Sequence, residues 1–150
     1  MKDFFISYTG VDKKWAEWLA WQLEAAGCST VIQAWDFRPG QNFVLEMHKA
    51  AKDTHRTIAV LSQSWLHALY TQPEWAAAYP QDPTGEKQKL ILIRIDNCKP
   101  EGLLSAIIYI DLVGLKEADA TNALLEGIKQ ERNKPKTQPS FPVTIQRVRP

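Results

Sequence analysis

A chain of 150 residues, 45% hydrophobic and 23% charged, has the size and composition of one globular domain and excludes a collagenous, low-complexity or wholly disordered polymer. Folding at this length buries roughly 68–70% of the unfolded surface, so a core forms without disulfides or a structural metal, and Cys28 and Cys98 need no partner. The net charge of +1 divides between a body, residues 1–130, with thirteen Lys/Arg against sixteen Asp/Glu, and a tail, residues 131–150, with five against one; so acidic a body offers no clustered cations for nucleic acid.

In chain order, Asp3-Phe4-Phe5-Ile6-Ser7-Tyr8 is a short β-rich run, Thr9-Gly10 a turn, and Asp12 a helix N-cap. Val11, Trp15, Trp18, Leu19, Leu23 and Ala26 then fall on one helical stripe closed by Gly27. Trp21 lies off that stripe, either covered by a loop or open to a partner. Ser29 to Ala34 reads as a second strand, and Trp35 to Asn42 as a loop turning at Pro39-Gly40. Phe43, Met47, Ala50 and Ala51 give a second helix its inward face, with His48, Lys49 and Lys52 outward. Arg56 to Ser62 supplies a third strand whose unbroken apolar run, Ile58 to Leu61, suits the centre of a sheet. Lys89 to Asp96 repeats that character, Ile107 to Val113 is a fifth strand, and Ala118 to Gln130 closes the body with Leu124, Leu125 and Ile128 inward.

This alternation predicts an α/β fold: a flavodoxin-like three-layer sandwich, a five-stranded parallel sheet with helices on both faces. Ligands of such sheets collect beyond the carboxyl ends of the strands, here the loops after Tyr8, Ala34, Ser62 and Asp96. No Gly-x-Gly-x-x-Gly, Walker-type loop or Gly-x-Ser-x-Gly elbow stands there, and the histidines lack metal-ligand spacing with Cys28 or Cys98, so no cofactor and no metal are expected.

Glu74 is the acidic residue in unusual surroundings. Pro73 suits the first position of a helix, which puts Glu74 in a first turn, where the helix dipole favours an ionised carboxylate by roughly 0.3–1 kcal/mol. Two readings stand: Glu74 satisfies a helix terminus, or, beside Tyr70 and Trp75, it stabilises a developing cation.

These residues also resemble a family. Asp3 to Tyr8 looks like the first box of Toll/interleukin-1 receptor (TIR) domains, Asp36-Phe37-Arg38-Pro39-Gly40 like the second box, the BB loop, and Val60 to Trp65 followed by Tyr70 and Glu74 like the strand and helix that carry the family's glutamate. Tyr-Thr-Gln-Pro-Glu-Trp is similar in style to bacterial TIR modules fused to other domains. The resemblance implies an NAD+ glycohydrolase that cleaves the nicotinamide–ribose bond to give nicotinamide and ADP-ribose or a cyclic isomer, with NAD+ as substrate rather than cofactor. The resemblance also implies activation by self-association and a role in prokaryotic antiphage signalling. Glu74 would be catalytic, and Tyr8, Thr9, Gly10, Trp35, Arg38, Gly40 and Tyr70 would bind substrate. Tyr70 stands where the family commonly has Trp. Arg38 reads equally as a solvated loop arginine, Trp35 as a loop anchor, and Phe43 as core. The alternative within the family is a noncatalytic adaptor acting through TIR–TIR contacts.

The boundaries follow as 1–130 for the domain and 131–150 for a basic, Pro-rich tail that reads either as a linker toward a further, absent domain or as a frayed terminus with no further domain. Two cysteines and no secretory leader at Met1 read as a cytoplasmic protein, and no apolar run reaches the about 18 residues that a membrane span needs.

Overall fold

The computed structural model of the chain describes residues 1–71 and 89–143. Strand β1 (Lys2–Ser7) leads through a one-turn 3-10 segment (Gly10–Asp12) into α1 (Lys13–Ala25), and β2 (Thr30–Ile32) into the single turn α2 (Gln33–Asp36). There follow α3 (Phe43–Lys52), β3 (Thr54–Leu61), α4 (Gln63–Thr71), β4 (Leu90–Arg94), a 3-10 segment (Gly102–Ala106), β5 (Tyr109–Asp111) and α5 (Glu117–Gly127). The strands form one parallel sheet in the order β2-β1-β3-β4-β5, the flavodoxin-like order expected.

Alternation along each strand divides the core in two. Phe4 and Ile6, Ile58 and Val60, and Ile91 and Ile93 face Ala16, Leu19, Ala20 and Leu23 of α1 and Ala120 and Leu124 of α5. Phe5, Ala59, Leu61 and Leu92 face the opposite way, onto Met47 and Ala50 of α3 and Trp65, Leu66 and Ala68 of α4. A parallel sheet covered on both faces needs such continuous apolar runs, and Ile58 to Leu61 are fully buried. Arg56 closes the amino-terminal edge: its guanidinium lies 5.7 Å over the Phe4 ring and donates to the Ile128 carbonyl at 2.7 Å, fixing the end of α5 to the start of β3.

Several boundaries differ from the sequence reading. Val11 is exposed, because it sits in the 3-10 turn, whose three residues per turn take it out of register with the α1 stripe. Ala26 is exposed as the residue that ends α1; the helix closes with Cys28 N–H on the Leu23 carbonyl (2.9 Å) and Gly27 N–H on that of Glu24 (3.0 Å), Gly27 taking φ +94° as this cap requires. Strand β2 stops at Ile32 rather than Ala34, where the Asp36 carboxylate accepts the Ile32 amide at 2.8 Å and bends the chain into α2. The fifth strand is shorter than expected, since Ile107 and Ile108 follow a 3-10 segment before pairing begins at Tyr109. Phe43 is 42% exposed, not core; its ring packs edge to face on Phe37, which stacks on Phe5. Trp21, 68% exposed, is not covered by a loop.

Candidate functional site

In this strand order the carboxyl ends of β1 and β3 flank the switch point, where the chain departs in opposite directions along the sheet. Thr9 precedes the 3-10 turn and Ser62 ends β3, and Asp12 joins them: its Oδ2 accepts from Thr9 Oγ1 at 3.0 Å and from Ser62 Oγ at 2.5 Å. Asp12 makes no side-chain bond to the amides of α1, so the cap expected of it is replaced by a bridge between two loops. Ser62 in turn caps α4, its Oγ accepting the Trp65 amide at 3.0 Å, while the Trp65 indole N–H donates to Ser7 Oγ at 3.2 Å. Asp96, after β4, accepts the Gln63 amide at 3.2 Å. The start of α4 is thus clamped by groups from the ends of β1, β3 and β4.

The segment from Trp35 to Asn42 is ordered by its own short contacts. Pro39 and Gly40, with Gly40 at φ +91° and the Gln41 amide on the Arg38 carbonyl at 3.1 Å, make a type II turn. The Arg38 amide donates to Gln41 Oε1 at 2.6 Å, leaving the Arg38 side chain at an exposed tip. Asn42 accepts the Leu45 amide and starts α3. The Trp35 indole N–H donates to Glu17 of α1 at 2.9 Å, so this ring anchors the loop to the body while remaining 38% exposed.

Tyr8 is 7% exposed and belongs to the core, and burial raises its pKa above the usual phenol value. Tyr8 is therefore a core ring rather than one presented at the mouth of the site. Thr9 and Gly10 join the Asp12–Ser62 cluster, Thr9 through its hydroxyl and Gly10 as the first residue of the 3-10 turn. Tyr70 stands apart, eight residues beyond Ser62 and so roughly 12 Å along α4. Its ring is 57% exposed and its hydroxyl donates to the Glu101 carbonyl at 3.1 Å. Glu74, Pro73 and Trp75 lie outside the described residues.

Sequence reasoning missed Asp12, Ser62 and Phe37 as organisers of the site. The available signal was two hydroxyl residues, Thr9 and Ser62, each just past an apolar strand, with one carboxylate three residues after the first. Among the described residues no group of three His, Cys, Asp or Glu side chains is placed to hold a metal. Cys98 is buried, which pushes its thiol pKa up to about 11 and keeps it a thiol at neutral pH.

A family model described as a TIR domain matches residues 4–125. Among solved structures, the chain is similar to the TIR domain of the Toll-related receptor TRR-2 from Hydra magnipapillata, with 22% identity and a TM-score of 0.65 over 85% of this chain and 95% of that one. It is similar to a metazoan TIR-STING receptor from C. gigas, with 20% identity and a TM-score of 0.68 over 83% of this chain and 39% of that one. A prokaryotic SEFIR domain matches at 18% identity and a TM-score of 0.63, over 95% and 99% of the two chains. No curated protein matches.

Proposed function

The chain belongs to the TIR domain family, and from that premise we propose that it is an NAD+ glycohydrolase with Glu74 as its catalytic carboxylate. The supporting observation is Tyr70: an aromatic ring left largely exposed, tethered by its hydroxyl to Glu101, on a helix whose start is clamped at the switch point and four residues before Glu74. A carboxylate beside such a ring suits a reaction that develops positive charge. The C1′–N bond breaks with its electron pair passing to the pyridinium nitrogen, and nicotinamide leaves neutral without an external acid. The remaining oxocarbenium-like ribose is stabilised by the anionic side chain. Water then adds at C1′ and releases a proton, giving ADP-ribose; capture of C1′ by a nucleophilic atom of the ADP portion, with loss of a proton, gives a cyclic isomer instead. Tyr70 stacks on the substrate, and Thr9, Gly10 and Trp35 border the mouth. The exposed Arg38 turn meets a phosphate or a neighbouring protomer, since clustering of these domains activates the site. The role that fits is prokaryotic antiphage signalling by a cytoplasmic protein.

The test is nicotinamide release from NAD+ by the full chain, followed chromatographically over a range of protein concentrations with light scattering alongside. Glu74→Gln is expected to lower turnover by roughly 100-fold or more at unchanged fold and assembly. Turnover at the wild-type rate in Glu74→Gln removes Glu74 from the mechanism. An assembled wild-type chain that releases no nicotinamide makes the domain a noncatalytic adaptor.

A further inference from the structure

The loop that follows β4 touches α4 in two places. Asp96 Oδ2 accepts the Gln63 amide at 3.2 Å at the start of the helix, and the Glu101 carbonyl accepts the Tyr70 hydroxyl at 3.1 Å near its end. Those contacts lie roughly 10 Å apart along the helix axis, so the loop splints most of α4. The loop is itself braced against the sheet. Arg94 donates from Nε to the Cys98 carbonyl at 3.1 Å and from Nη1 to Asp111 of β5 at 2.9 Å, while Asp96 Oδ1 accepts the Cys98 amide at 3.0 Å. Cys98 is buried, and on the far side of Glu101 the side chains of Leu104 and Ile107 pack against the core. Only Lys99 and Pro100 stand between Cys98 and Glu101, and the proline ring fixes its own φ, so little slack is left.

Gly102 decides where the Glu101 carbonyl points. Its φ of +62° turns the chain from the extended Glu101 (φ −120°, ψ 169°) directly into the 3-10 segment, whose first turn is closed by Ser105 Oγ on the Gly102 carbonyl at 2.6 Å. A Cβ added at Gly102 would meet nothing within 4 Å among the described residues, so the backbone conformation, not space, is what favours glycine there. Tyr70 needs such an anchor. Its ring is 57% exposed, packing leaves it a choice of staggered rotamers, and the hydroxyl bond selects one.

We infer that the β4–β5 loop, through the Glu101 carbonyl and the left-handed Gly102, holds the Tyr70 ring in the rotamer that stacks on NAD+. This role rests on the glycohydrolase reading and gives it two positioning residues, Glu101 and Gly102, that touch no substrate themselves. A ring ordered before the substrate arrives spares the ordering cost in ground and transition states alike, so its loss falls on KM rather than kcat.

Nicotinamide release by the full chain over a range of NAD+ concentrations tests it. Tyr70→Phe keeps the ring and removes the donor; Gly102→Ala strains the turn that aims the acceptor. Each is expected to raise KM by roughly threefold to tenfold, the worth of one hydrogen bond, with kcat within about twofold of the wild type. The double variant is expected to raise KM no further than the larger single change, since both break the same bond. Circular dichroism checks the folds, and Tyr70→Phe alone carries the test should Gly102→Ala disturb the loop. A wild type that turns over NAD+ while Tyr70→Phe keeps its KM, or loses kcat instead, overturns the positioning role and leaves the glycohydrolase reading intact. KM losses that add in full in the double variant overturn it as well. An assembled wild type that releases no nicotinamide removes the reading and this role with it.

Discussion

Asp12 carries two hydroxyl partners on one oxygen, and both belong to loops at the switch point. Replacing it with Ala leaves the 1%-exposed Ser62 hydroxyl without its acceptor. Asp12→Ala is therefore expected to cost about 1–3 kcal/mol in urea unfolding, and Asp12→Asn, which keeps an acceptor, distinctly less. Asp3 provides a pH-dependent case. The Ser29 amide donates to its carboxylate at 2.8 Å and the Ser29 hydroxyl at 3.1 Å, and the amide chiefly holds its pKa below the ordinary 3.8. A depressed folded-state pKa means that the contribution is complete above the unfolded value and is lost as pH falls through the folded one. The stability advantage of the wild type over Asp3→Asn is expected to be about 1 kcal/mol at neutral pH and to close on acidification below roughly pH 4. Parallel urea titrations across that range check it.

The central element is β3, which pairs with β1 on one side and β4 on the other and has both faces covered. It carries one misfit: Thr57 is fully buried and its hydroxyl has no hydrogen-bond partner among the described residues. Valine has nearly the same shape without the polar group, so Thr57→Val is expected to stabilise the chain by about 1 kcal/mol, read as a higher urea midpoint at unchanged slope. Elements of this kind were legible because a doubly covered strand has to be apolar along its whole length. The edge elements were not. The end of β2 depends on Asp36 returning to the Ile32 amide, and the failure of Val11 to face inward depends on a 3-10 turn; neither leaves a periodic trace in the residues.

For the molecule as a whole, the folded body and the tail separate in both composition and burial. Residues 131–143 are exposed throughout, whereas Arg56 fixes α5 only as far as Ile128. A chain ending at Gln130 is therefore expected to unfold at the same urea midpoint as the full chain. Urea unfolding of the two chains side by side checks it.

The sequence by itself determined the parallel sheet and the flavodoxin-like strand order, because covering both faces of a sheet dictates the apolar pattern and right-handed crossovers restrict the topology. It also singled out Glu74 by residue type and context. Only the tertiary structure decided what the side chains around the loops do. Tyr8 turned inward into the core, Phe43 lay against Phe37 at the surface, and Asp12 left its own helix for a hydroxyl fifty residues away. The physical reason is that a short polar side chain bonds whichever donor the packed chain brings within about 3 Å, and residues far apart in sequence become neighbours only once the sheet has formed.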